Sequence, residues 1–195
     1  MEKMKIKVIM GSTREGRFGE HPAKWIFELA RKKKEFDAEL LDLRNYPMPF
    51  FNDPVSPAYR QGGHSDSIVA KWEKKIAEAD GFIVVSPEYN HGYPAVLKNA
   101  FDYVYHAWNQ KPIGFVSYGS AGGARSVEQL RLVAVELQMA PIRNAVHIPG
   151  GPWNMLEKNG SLKTGALEPF AESAENLLNQ LIWWVRALKT ARQDS

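Results

Sequence analysis

The chain has 195 residues, 44% of them hydrophobic and 24% charged, with a formal net charge of +3. These are the proportions of a globular protein with a sizeable core, and basic residues are scattered apart from Arg31-Lys32-Lys33-Lys34, so no nucleic-acid partner is expected. There is no cysteine, which excludes disulfides, a thiol nucleophile and iron–sulfur ligation.

His21, His64, His91, His106 and His147 are too dispersed to form a metal site. No apolar stretch reaches membrane-spanning length, and the amino terminus lacks a signal-peptide apolar region. One cytoplasmic domain over residues 1–195, without membrane contact, is the expectation.

Residues 5–10 read as a strand. The loop Gly11-Ser12-Thr13-Arg14-Glu15-Gly16-Arg17-Phe18-Gly19 follows, and a helix over 20–34 has Ala23, Ile26, Phe27 and Ala30 at helical spacing. Free backbone N–H groups and a helix dipole at such a junction favour an anion. Arg14 and Arg17 add charge-assisted contacts to it. The loop lacks the Gly-Lys-Ser/Thr ending of a triphosphate loop and the three-glycine spacing of a dinucleotide site, so it suits one terminal phosphate.

A second strand is expected near 38–43, an irregular segment over 47–63 and a helix over 65–79. Residues 81–85 form a β-branched and aromatic strand. It leads into Ser86-Pro87-Glu88-Tyr89-Asn90-His91-Gly92-Tyr93-Pro94 and a helix over 94–108. Pro87 stiffens this turn, and Gly92 is expected to supply a torsion that a larger residue resists. A fourth strand over 113–117 runs through Ser117 into Tyr118-Gly119-Ser120-Ala121-Gly122-Gly123-Ala124-Arg125 and a helix over 122–139. A fifth strand near 143–148, an irregular segment over 149–165 and a helix over 167–190 complete the chain. Strict alternation of strand and helix argues for a parallel sheet covered on both faces. The loops after strands one, three and four then converge on one rim, where ligands of open α/β sheets sit.

With these residues in view, the chain resembles the flavodoxin-like family of NADPH-dependent FMN reductases, with its azoreductase, quinone reductase and chromate reductase relatives. The matching residues are Gly11-Ser12-Thr13-Arg14, then Pro87-Glu88-Tyr89-Asn90 with Pro94 and Leu97-Lys98-Asn99-Ala100, then Tyr118-Gly119 with Gly122-Gly123, across about residues 5–150. The resemblance implies a five-stranded sheet in the order 2-1-3-4-5 with FMN at its rim. The first loop (Gly11 to Arg14, with Arg17, Phe18 and Gly19) would hold the phosphate. The second (Pro87 to Gly92) would lie along the isoalloxazine ring, and the third (Ser117, Tyr118, Gly119, Gly122) would meet the ring's polar edge. Relatives commonly carry serine and asparagine where Arg17, Phe18 and Gly19 stand here, which makes Arg17 the substitute phosphate contact.

The resemblance also implies the chemistry. NADPH or NADH passes a hydride to the flavin, then leaves, and a quinone, azo compound, free flavin or metal oxyanion takes its place in ping-pong turnover. No catalytic side chain is then required. His91 reads equally as a turn-stabilising or a catalytic residue. Arg14, Arg17, Lys111 and Arg125 are the cations that could meet a 2′-phosphate. A flavodoxin-like electron carrier and a flavin-stabilised regulatory protein are the alternatives, the first disfavoured because carriers present acidic docking faces.

Helices 94–108 and 122–139 carry apolar residues on two sides: Val96, Ala100 and Tyr103 beside one stripe, Leu132, Val135 and Met139 beside the other. This predicts a homodimer or homotetramer. The segment from Pro47 to Asp53 and Trp153 could wall the site, although ordinary loop packing accounts for both.

Overall fold

The computed structural model describes residues 3–150 and 154–194. Five parallel strands stand in the order β2-β1-β3-β4-β5: β1 Met4–Met10, β2 Phe36–Asp42, β3 Gly81–Pro87, β4 Pro112–Tyr118 and β5 Ala140–Ile148. Val8 lies beside both Leu40 and Ile83, and Val84 beside Phe115, so the sequence-expected order and pairing hold. Every residue of β3 and β4 is buried, as expected of central strands covered on both faces.

Alternation along the strands divides the core in two. Phe82, Val84, Ile113 and Phe115 point to the face covered by α2 (Ser67–Ala77), α3 (Ala95–Asp102) and α4 (Ala124–Glu136). Ile83, Val85 and Val116 point to the face covered by α1 (Glu20–Lys32) and α5 (Ala171–Gln193). Asp66 caps α2 by accepting from the amides of Ile68 and Val69. The Trp72 indole donates to the Ala100 carbonyl at 2.8 Å, joining α2 to α3.

The basic run at the end of α1 is not wholly solvated: Lys33 pairs with Glu175 and donates to Asn179 of α5. The third helix is shorter than its pattern predicts. It stops at Asp102, and a separate 3-10 turn spans His106–Trp108.

The two-sided apolar surface of this region is explained inside the chain. Tyr103, Val104 and Trp108 are buried beside Trp72 and Phe82, and Met48 and Phe51 pack on the same cluster. Met139 is buried as well. Of the second stripe on α4, only Leu132 and Val135 remain in solvent, at 74% and 62% exposure. The segment after Pro47 includes a 3-10 turn over Pro57–Tyr59, and Leu156 bridges Leu162 in the later irregular segment. Trp153 lies outside the described residues.

Candidate active site

The three loops meet at the carboxyl ends of β1, β3 and β4. Gly11 ends β1 where a Cβ would fall 2.9 Å from Leu97 Cδ2 and 3.0 Å from the Val85 carbonyl, so only glycine fits without displacing α3. Ser12 is buried, and its hydroxyl lies 2.9 Å from the Tyr89 hydroxyl, which ties the first loop to the second. Thr13 and Arg14 face solvent, and the Arg14 guanidinium lies 5.9 Å from the centre of the Tyr89 ring. The amides of Thr13 and Glu15 find no acceptor among the described residues, and that of Arg14 makes only a 3.4 Å contact with Ser12 Oγ.

Arg17 does not join them. It is buried, and Asp42 at the end of β2 holds its guanidinium bidentately, with one contact at 2.7 Å. It also donates to the Ser12 carbonyl and pairs with Glu20. Burial alone would lower the Arg17 pKa, but the Asp42 hydrogen bond and charge, with Glu20, raise it. Burial would likewise raise the Asp42 pKa, and the bonds from Arg17 and the Arg44 amide instead lower it. The expectation that Arg17 contacts phosphate is therefore corrected: its charge is committed to carboxylates inside the protein.

Phe18 and Gly19 also lie beneath the rim. Phe18 meets the Tyr118 ring edge-on at 5.2 Å, and a Cβ on Gly19 would sit 2.5 Å from the Tyr118 hydroxyl. Burial, the largest influence on Tyr118, pushes its phenol pKa well up. Arg17, Phe18 and Gly19 are thus buried beneath the first loop and not at its open side.

In the second loop, the amides of Tyr89 and Gly92 each bond the other's carbonyl, at 2.8 and 3.0 Å, closing a tight turn. The left-handed torsions belong to Asn90 (φ 50°) and His91 (φ 68°) and not to Gly92, which corrects the torsion expected of that glycine. Asn90 and His91 both have positive φ, the pattern of a type I′ turn. Their amides, at the exposed tip, find no acceptor among the described residues. Glu88 is held by Arg125, whose Nε donates to Oε1 at 2.6 Å and whose amide donates to Oε2 at 3.2 Å.

The third loop is fixed from inside. Gly119 and Gly122 both have positive φ, and Gly123 (φ 74°) brings the start of α4 against Ser117 and Tyr118. The Ser117 hydroxyl is buried and donates to the Gly122 carbonyl at 2.7 Å, with His147 Nδ1 2.8 Å away. Ser117 thus braces the loop, and the amides of Ser120 and Ala121 find no acceptor among the described residues.

A cavity of about 300 Å³ adjoins the first loop, lined by Thr13, Arg44, Tyr46, Met48, Val96 and Asn99 among others. A cavity of about 730 Å³ lies at the opposite end of β1, near Lys3 and Lys189, and is lined by none of the three loops. Asn99, which the sequence offered only as part of the family match and not as a site residue, donates its carboxamide N–H to the Pro49 carbonyl and accepts from the Phe51 amide, at 2.7 and 2.8 Å. Sequence reasoning missed Asp42 and Arg44. Their only signal was position, at the end of a strand adjoining β1.

Lys111 is buried at the amino-terminal end of β4, far from the rim, so it is not a 2′-phosphate contact. Among the described residues no group of acids and histidines could hold a metal.

Amides unbonded among the described residues, an exposed arginine and close glycines thus meet at the switch point between β1 and β3 of a flavodoxin-like protein. The match to known proteins is more specific: residues 4–152 fit the NADPH-dependent FMN reductase family, to which this chain belongs. An NAD(P)H-dependent FMN reductase of Schizosaccharomyces pombe is 37% identical over 175 residues, 89% of this chain and 83% of that protein. A quinone reductase of Escherichia coli is 31% identical over 158 residues, 77% of this chain and 79% of that one. In structure, the flavoenzyme NAD(P)H:(acceptor) oxidoreductase FerB of Paracoccus denitrificans superposes with a TM-score of 0.71 at 19% identity, covering 94% of this chain and 98% of its own. The chain is an FMN-dependent oxidoreductase that uses NAD(P)H.

Proposed function

We propose that this enzyme reduces small quinone-type acceptors by a ping-pong cycle, with FMN bound across the three loops. FMN held there would supply two-electron redox chemistry, between the hydride of a reduced nicotinamide and an acceptor that takes up two electrons together with protons. The chain's own residues bind and orient. Thr13, Arg14 and Glu15 would offer amides and one guanidinium to the phosphate, while the Asn90 and His91 amides and those of Ser120 and Ala121 would serve the ring. Such fixed donors stabilise negative charge on a reduced ring without reorganising.

The observation that carries this reading is that Glu88 and Arg17, two charged side chains of the rim loops, are already held by partners inside the protein. Glu88 is paired with Arg125 and Arg17 with Asp42, leaving backbone donors with the exposed Arg14 and Glu15 at the mouth. A cycle that alternates nucleotide and acceptor in one place suits such a site, and the quinone class is supported by the quinone reductase among the relatives. Initial rates against NADPH or NADH at several fixed quinone concentrations test it: parallel double-reciprocal lines are expected, and intersecting lines overturn the cycle. Azo dyes, free flavins and metal oxyanions belong in the same panel, and a preference for one of them replaces the quinone assignment.

We also propose a homodimer or a pair of dimers. Its support is now confined to Leu132 and Val135 on α4.

A further inference from the structure

Three successive carbonyls of the first loop are captured by two arginines that do not face its open side. Arg17 Nη1 donates to the Ser12 carbonyl. Arg44 Nε donates to the Thr13 carbonyl at 3.2 Å, and Arg44 Nη2 to the Arg14 carbonyl at 2.5 Å. Both guanidiniums are anchored behind the loop, Arg17 on Asp42 and Glu20, and Arg44 on Glu20 at 3.2 Å. The Asp42 side chain also accepts from the Arg44 amide at 2.9 Å, which seats the 3-10 turn carrying Arg44.

In a planar trans peptide the C=O of one residue and the N–H of the next point in opposite directions. Drawing the carbonyls of Ser12, Thr13 and Arg14 toward β2 therefore turns the amides of Thr13, Arg14 and Glu15 the other way. Those are the amides left without a normal-length bond among the described residues. Glu20 and Asp42 offset the arginine charges, so the clamp orients donors without placing its own cations at the mouth.

We propose that Arg44 is a positioning residue for the FMN phosphate: it shapes the anion cradle by holding backbone carbonyls and does not touch the anion. This inference rests on the assignment of the first loop to the phosphate. Arg44 is exposed, so its removal spares the core, and a lysine in its place keeps the charge but cannot span two carbonyls with a rigid fork.

The test measures dissociation constants of the apoprotein for FMN and for riboflavin, which lacks the phosphate, by quenching of flavin fluorescence, alongside the melting temperature of each apoprotein. Arg44→Ala and Arg44→Lys should both weaken FMN at least tenfold, leave riboflavin within twofold and leave the melting temperature nearly unchanged. Equal weakening of both ligands, unchanged FMN affinity, or full rescue by lysine overturns the positioning role. If the unmodified protein binds riboflavin as tightly as FMN, the phosphate assignment of the loop itself fails, and the proposal with it.

Discussion

Arg125, at the start of α4, holds Glu88 of the second loop, and its Nη1 reaches His91 Nε2 at 2.8 Å. An arginine can only donate, so this contact uses the imidazole Nε2 as an acceptor. Gln129 adds a bond to the His91 carbonyl at 2.8 Å. The histidine is thereby read as part of the turn's scaffold. His91→Ala should leave most of the rate at which NADPH bleaches bound FMN in stopped flow. A loss of about a thousandfold with FMN still bound, about 4 kcal/mol on the barrier, would make the imidazole catalytic.

Glycine positions separate cleanly. A Cβ on Gly123 would lie 2.6 Å from Ser117 Cβ and 2.8 Å from the Tyr118 amide nitrogen, at a positive φ. On Gly92 it would meet only the end of the Gln129 side chain, at 3.1 Å. Gly123→Ala should cost roughly 3 kcal/mol or more by chemical denaturation, since strain and a backbone clash combine. Gly92→Ala should stay within about 1 kcal/mol of the unmodified protein. The reverse order would show that the third loop yields more readily than this packing implies.

Among the described residues of the first loop, Arg14 is the cation left in solvent, beside Tyr89. Arg14→Ala should weaken FMN by about 1.5–3 kcal/mol, the scale of a charge-assisted hydrogen bond. FMN should also be the flavin extracted from the protein, because the cradle takes a terminal phosphate. Tight recovery of FAD, or an unchanged FMN constant in the variant, would remove Arg14 from the site.

Lys111 gives a pH signature remote from the flavin. Its ammonium is buried and donates to the Ile76 and Ala77 carbonyls at 2.9 and 3.1 Å. Burial first, then the Arg192 charge, lower its pKa to about 8, with Asp80 acting the other way. The folded pKa thus lies below the unfolded value of roughly 10.4. Below pH 8 both states hold the proton, and the fold carries the full cost of the buried charge. Between about pH 8 and 10.4 the unfolded chain holds it more tightly, so stability from this group rises with pH. Measured against Lys111→Met, the unmodified protein should gain on the order of 3 kcal/mol across that window. A difference that stays flat with pH contradicts the shift.

Leu132 and Val135 test assembly. Leu132→Glu places a charge on the apolar surface of α4 and should dissociate the oligomer, since an unpaired buried charge is costly. Sedimentation of the unmodified protein as a monomer at micromolar concentration would defeat the proposed dimer.

The rim was legible in the sequence because each of its loops follows an unbroken apolar strand and is punctuated by glycine or proline. What the sequence concealed depends on partners distant along the chain. Arg17 reads as a phosphate contact until Asp42, brought alongside by β2, claims it. The helix ending at Asp102 reads as continuing to Trp108 because its later apolar residues keep helical spacing. They are buried by a 3-10 turn and by Met48 and Phe51 instead. The left-handed turn was assigned to its glycine, while Asn90 and His91 carry the torsions and Arg125 and Gln129 hold them there.

The contact between Ser12 and Tyr89 joins residues 77 positions apart, and Arg125 must arrive later still to fix Glu88. Closing so long a segment costs chain entropy that only the assembled sheet repays. The rim is therefore complete only when residues from β1 through the start of α4 have been assembled together. The cofactor is then a late ligand of a nearly finished sheet, and it raises that sheet's stability in proportion to the logarithm of its own concentration. Loss of flavin should therefore be felt as a looser joint between the first loop, the second loop and the start of α4, the segments that only the finished sheet brings together.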